Sequence, residues 1–183
     1  ARLFGLTGFT LGNYNEADLL DKIGQLMTDN DFLLVDAHLH GLKSLESRGP
    51  ESKQEMMHLL GCYSQEAVNR LVFGPVEAAT TASMADVTFD CRIHRQITSV
   101  PNALNVTICC KDLQTKMRFT GEPIERGILD LASTTFYSYT DLREWFLTYG
   151  FQCVWEKQAG PMALFLLKRS GSVITRHSQE ANY

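Results

Sequence analysis

Basic clusters, paired cysteines and long apolar runs are all missing from these 183 residues. Lys and Arg total 17 against 21 Asp and Glu, for a net charge of −4. Binding a phosphate backbone takes clustered cations, so the composition speaks against a nucleic-acid partner. The five cysteines, Cys62, Cys91, Cys109, Cys110 and Cys153, are odd in number and form no C-x-x-C. They support neither a zinc nor a disulfide framework, and a reducing cytoplasm is the simplest setting. No apolar run approaches the ~18 residues of a membrane span, and no secretory h-region opens the sequence, so no membrane is expected among its partners. What is present is 44% hydrophobic residues, enough for one cored domain, or one domain carrying an insert.

Both ends of the chain are legible. "RLFGLTG" (2–8) predicts a short buried strand that ends on glycine. Asn15 followed by Asp18 suits a helix start, and Leu19, Leu20, Ile23, Leu26 and Met27 repeat at helical spacing. "FLLVDAHL" is a continuous apolar run, as in a strand covered on both faces. Strand, helix and strand in this order predict a right-handed parallel crossover. At the other end, "YTDLREWFLTYG" (139–150) predicts a helix with Thr140 as cap, Leu142, Trp145, Phe146 and Tyr149 on one face, and Gly150 as its stop. "FQCVWEK", the turn "QAGP" and "MALFLLKR" predict an antiparallel hairpin.

Between these ends, "ESKQEMMHLLGCYSQEAVNRLVFG" predicts two short helices broken near Gly61. "VTFDCRIHRQI", "LNVTICCKDL", "KMRFT" and "ILDLASTTFYS" predict three to four antiparallel strands, with Glu122 and Glu125 in an exposed turn. Side chains alternate along a strand, so Cys109 and Cys110 should face opposite ways as small core residues. The organisation predicted is a strand–helix–strand unit over 1–45, a helical and antiparallel β insert over 46–138, a closing helix and hairpin over 139–169, and a flexible tail over 170–183.

Asp36, His38 and His40 spell D-x-H-x-H. Residues two apart on a strand share a face, and amidohydrolases open their metal site with this pattern. Three features weigh against a metal here. Such a barrel needs roughly 250 residues. The other histidines, His58, His94 and His177, stand in no second ligand motif. The motif also follows a helix and an earlier strand instead of opening the first strand. Strand-end residues at the ligand-binding edge of an open α/β sheet are the stronger reading. A metal-dependent hydrolase is kept as an alternative.

"LTGFTLGNYNEADLLDKIGQLMTDNDFLLVDAHL" resembles the histidine N-alpha-methyltransferases of ergothioneine biosynthesis and the class I S-adenosylmethionine-dependent methyltransferases around them. The group's G-x-T-x-G-N segment reads Gly8-Phe9-Thr10-Leu11-Gly12-Asn13 here, and the start of its G-D-x-L-L-L-x-x-D strand reads Asn30-Asp31-Phe32-Leu33-Leu34-Val35, with Asp36 following. "GCYSQEAVNRL" and "FTGEPIERGILDLASTTFYSYTDLREWFLTYGF" resemble later segments of the same group, so the resemblance covers residues 2–169. It implies an α/β fold: the second half of a doubly wound Rossmann-like sheet, strands in 4-5-7-6 order, with an inserted antiparallel β subdomain on the substrate side. It also implies S-adenosyl-L-methionine as cofactor, a small amino-group-bearing acceptor, and Asn13, Tyr63 and Ser133 as substrate-binding residues. The group's acidic neighbour of that serine falls near Leu131, and its lysine at Thr135. The amino-group class therefore transfers more readily than histidine itself. Methyl transfer to nitrogen needs alignment and desolvation more than a strong acid or base, so no catalytic dyad is expected.

No D-x-G-x-G loop of a cofactor-binding half is present, and Ala1 runs straight into a strand without an initiator methionine. The chain thus reads as a C-terminal fragment, inactive alone, whose partners are the missing N-terminal half or a second copy. With that half absent, residues 2–9 would be an uncovered edge, which predicts an oligomer with this strand in or beside the interface. A non-catalytic binding or assembly module on the same half-fold is the remaining alternative.

Overall fold

The computed structural model describes residues 1–8, 10–13, 15–41, 50–95 and 99–170, with the side chains of 50–52, 94 and 95 excepted. The expected tail therefore lies outside the described residues save for Ser170, whose N–H bonds the Gly150 carbonyl at 2.8 Å. Seven strands and four α-helices are described, a mixed α/β chain. They gather into two compact units. Ala1–Leu39, Thr98–Pro101 and Tyr137–Tyr183 make the first, and His40–Ile97 with Asn102–Phe136 the second.

In the first unit β1 (Leu3–Leu6), α1 (Glu16–Leu26) and β2 (Phe32–Leu39) form the parallel crossover, with Leu3 opposite Phe32 and Leu6 opposite Val35. The Asn15 side chain accepts from the Asp18 N–H, the N-cap its position called for. After α4 (Tyr139–Thr148), β6 (Phe151–Ala159) and β7 (Met162–Arg169) make the hairpin, and β7 runs antiparallel to both β6 and β2. The seven described strands belong to one mixed sheet, and among those of this unit the order is β1-β2-β7-β6. β1 is less buried than its apolar composition suggested. Among the described residues of its unit it pairs with β2 alone, and Leu3 stays 65% exposed. A knot around Asp31 holds its entry. That buried carboxylate accepts from the Arg2 and Thr28 N–H groups at 2.7 Å each, from the Arg2 guanidinium at 2.7 Å and from the Thr28 hydroxyl at 2.9 Å. These bonds hold it well below the usual carboxylate range.

The β2–β7 register separates two faces. Leu33↔Leu167, Val35↔Phe165 and Ala37↔Ala163 are buried pairs. Phe165 packs against the Tyr139 and Phe146 rings of α4, at 5.6 and 5.4 Å between centroids. Gly24 of α1 approaches Phe151 so closely that a Cβ there would stand 3.5 Å from its ring. Phe151 pairs with Arg169, on the same side of the sheet as Phe165 and Leu167, so α1 and α4 cover one face together. The opposite pairs, Phe32↔Lys168, Leu34↔Leu166 and Asp36↔Leu164, are only half-buried.

In the second unit α2 (Pro50–Tyr63) and α3 (Glu66–Ala79) accompany an antiparallel sheet of β3 (Thr88–Arg95), β4 (Leu104–Lys116) and β5 (Pro123–Tyr137). One apolar cluster joins Leu59 to Leu104, Val106 and Phe136, and a second joins Phe73 to Ala82, Cys110 and Leu113.

Several boundaries differ from expectation. The helix break falls at Ser64–Gln65, where Gln65 turns extended, and Gly61 stays helical because an interior glycine costs only about 1 kcal/mol. Ser138, not Thr140, caps α4 by accepting from the Asp141 N–H. "KMRFT" is no separate strand. Lys116 ends β4, and a turn closed by the Gly121 N–H on the Met117 carbonyl follows, with Gly121 at φ +72°. Glu125 consequently stands on β5 opposite Gln114. No described helix is long and apolar enough to cross a membrane.

Candidate functional site

In the first unit the loop after β1 reaches the carboxyl ends of two parallel strands, the edge at which open α/β sheets bind ligands. Gly8, at φ +72°, donates its N–H to Asp36 Oδ2 at 2.9 Å, and the Thr10 hydroxyl donates to the Thr7 carbonyl at 2.6 Å. A 3-10 turn over Thr10–Asn13 buries Leu11 and Gly12 and leaves Asn13 exposed on a fixed backbone. Asp36 and His38 share one face of β2. Burial pushes the His38 imidazole below its usual range, with the Asp36 charge opposing. His40 lies past the strand end in the second unit, buried, its Nε2 within 2.8 Å of the Asn102 carbonyl and so the donor. Among the described residues no three His, Cys, Asp or Glu side chains converge as a metal set.

Glu16, the first residue of α1, is a site the sequence did not single out. It is 2% exposed, and its Oε1 accepts from the Tyr137 hydroxyl at 2.9 Å. The bond ties the turn carrying Asn13 to the strand end that enters α4. Burial raises the carboxyl above its ordinary value, against its own backbone N–H and the tyrosine. A raised folded-state value means that the stabilising contribution is complete below the unfolded pKa of about 4.3. It is lost as pH rises through the raised value. Glu16→Gln keeps an acceptor for Tyr137 and never ionises. The variant should match or exceed the parent in urea midpoint at pH 7, with the difference shrinking at pH 4. A variant weaker at pH 7 than at pH 4, relative to the parent, would show that the carboxylate form is the useful one.

In the second unit Tyr63 ends α2 with its ring edge-on to Phe136, 5.8 Å between centroids, and its phenol hydrogen-bonded to Thr134. Burial raises that phenol. Ser133 is exposed and stands opposite Thr107 on the other face of the same sheet. Tyr63 and Ser133 therefore occupy different surfaces, and Asn13 belongs to the other unit.

A β-bulge decides what surrounds Ser133. Ile108 pairs with Ala132 but Cys109 pairs with Asp130, so Leu131 is the extra residue. Plain alternation would set Leu131 beside Ser133. Instead Leu129 and Leu131 both pack on the Phe73 cluster, and Asp130 turns to the polar face. Two rows result there, Asp90–Cys109–Asp130 and Arg92–Thr107–Ser133. Asp90 accepts from Lys111 at 2.8 Å and Arg92 Nε at 3.0 Å, which lowers its carboxyl below the usual range. Cys109 is buried beneath these charges, and burial pushes its thiol up. Asp130 is exposed and forms no ion pair among the described residues. No local cue marks the bulge: the adjacent non-polar pair Leu131-Ala132 coincides with it, but Ile128-Leu129 on the same strand pairs regularly with Lys111 and Cys110.

No protein-family model matches the chain. No curated protein matches its sequence. Among solved structures, a S-adenosylmethionine-dependent methyltransferase from Clostridium acetobutylicum is similar over 92% of this chain at 6% identity and a TM-score of 0.42. The match spans 58% of that methyltransferase's own length.

Proposed function

We propose that the chain is the acceptor side of a class I S-adenosyl-L-methionine-dependent methyltransferase acting on a small compound that bears an amino group. The observation that carries this reading is the strand order β1-β2-β7-β6 with β7 alone reversed. It is the arrangement that the 4-5-7-6 half of such a sheet requires, with a crossover helix after β1 and a closing helix before β6.

The residues present do not fit the whole cofactor. The described loop at the end of β1 spends its Gly8 N–H on Asp36 and its Thr7 carbonyl on Thr10, and no glycine-rich D-x-G-x-G loop stands anywhere in the sequence. No step of the reaction is assigned to cofactor contacts of this chain, and the chain alone is inactive in this reading. Its own residues hold the acceptor. The Asn13 amide accepts from an ammonium and donates to a carboxylate. Separately, on the second unit, Ser133 and Asp130 present a hydroxyl and an exposed carboxylate on the β3–β4–β5 face, chemistry that by itself suits an amino-bearing ligand. Tyr63 lies on the opposite face of that sheet, with its phenol bonded to Thr134, and has no part in this reading, because one small acceptor does not touch both faces.

The test is a titration of the purified chain with a panel of primary amines and free amino acids, followed by amide NMR shifts, with S-adenosyl-L-methionine titrated separately. Amine-dependent shifts at Asn13 or at Asp130–Ser133, with no saturable cofactor binding, are the expected result. Amines that leave both segments unmoved would reject the acceptor-side assignment.

A further inference from the structure

One face of the first unit's sheet, turned away from α1 and α4, is covered by neither of that unit's own helices. The register places Leu3, Phe32, Leu34, Leu166, Leu164, Met162 and Trp155 there. Leu3 is 65%, Trp155 47% and Met162 44% exposed, and Phe32, Leu34, Leu164 and Leu166 are only half-buried. Seven large apolar side chains contiguous across four strands exceed what a solvated sheet face carries, and patches of this kind mark interaction surfaces. The continuous run "FLLVDAHL" points the same way, since it suits a strand covered on both faces.

Charge on this face indicates what covers it. Asp36, Leu164 and Lys157 lie in one row, the acid on β2, the base on β6 and the leucine between them on β7. A two-fold axis running along β7 would set Asp36 of one copy over Lys157 of the other, and the reverse, with Leu164 at the centre. The next row, Leu34–Leu166–Trp155, obeys the same operation, bringing Leu34 over Trp155. The row beyond it, Phe32–Lys168–Gln152, brings Lys168 over its own copy, where the side chain leans over the Phe32 ring and away from the axis. A self-complementary row is what an isologous interface demands. Aligned sheets packed ~10 Å apart would interdigitate these rows.

We propose that this face is a homodimer interface in which two copies of the chain pack sheet on sheet about a two-fold axis near Leu164, with reciprocal Asp36–Lys157 pairs. Leu3 sits at its margin, so β1 adjoins the interface without having to pair edge to edge. The proposal stands apart from methyl transfer and does not rest on it.

Sedimentation equilibrium on the full chain tests it. The parent should sediment as a dimer, and Leu166→Glu as a monomer with an unchanged far-ultraviolet spectrum. Lys157→Glu alone and Asp36→Lys alone should each self-associate about tenfold more weakly, since each creates two like-charge contacts. An equimolar mixture of the two charge variants should regain parental affinity as a mixed dimer, because both contacts become attractive only between unlike copies. This arm stays decisive if Leu166→Glu fails to fold. A parent chain that is monomeric throughout, as expected if a different protein covers the face, would overturn the proposal. So would a dimer indifferent to Leu166→Glu, or a mixture showing no preference for the mixed species.

Discussion

Phe165→Ala should lower the unfolding free energy by about 3–5 kcal/mol, the range for truncating a fully buried aromatic core residue. Phe165 is fully buried on β7, pairs in register with Val35, and lies under two rings of α4, those of Tyr139 and Phe146. The loss combines the transfer term, the cavity left beneath the helix and two ring contacts worth about 0.5–1.5 kcal/mol each. Urea unfolding read by tryptophan fluorescence is a direct measure, because Trp145 packs against Phe146 on the same helix. Leu147→Ala, on a side chain 49% exposed, is the control and should stay within about 0.5 kcal/mol. A Phe165→Ala loss below about 1 kcal/mol would mean that α4 is not fastened to the sheet through this residue. The result matters for function, since β7 and α4 set the half-sheet order on which the methyltransferase reading rests.

Asn13→Ala is expected to weaken acceptor binding about 10- to 150-fold, as for loss of a hydrogen bond to a charged group worth roughly 1.5–3 kcal/mol. Under the proposed reading the measurement is made on a methyltransferase that includes this sequence, with acceptor and S-adenosyl-L-methionine affinities determined separately. Cofactor affinity should hardly move. Asn13 closes a 3-10 turn whose other members, Leu11 and Gly12, are buried, so its side chain leaves a fixed backbone into solvent. Folding should tolerate the change, because an exposed turn residue outside the helix cap carries little stability. An unchanged acceptor affinity would leave Asn13 as a turn residue only.

Much of the first unit was legible in the sequence because its cues are local. The Asn15 cap, the apolar run Phe32–Leu39 and the hairpin around Gly160 each declare themselves within a dozen residues. The parallel pairing of β1 with β2 followed from chain connectivity, since strand, helix and strand leave few alternatives.

Other features depend on partners far away in the chain. Leu131 reads as a surface neighbour of Ser133 until the register with Ile108 and Cys109 makes it the bulge and turns Asp130 outward. Glu16 reads as an ordinary acidic first-turn residue until Tyr137, 121 positions on, buries it. The apolar run of β2 announces two covered faces, but only the pairing with β7 reveals which one α1 and α4 leave open. Secondary structure follows from short-range sterics and periodicity carried by the sequence itself. Burial, charge state and the choice of exposed face depend on which distant segments share a neighbourhood, and that was decided by the tertiary structure alone.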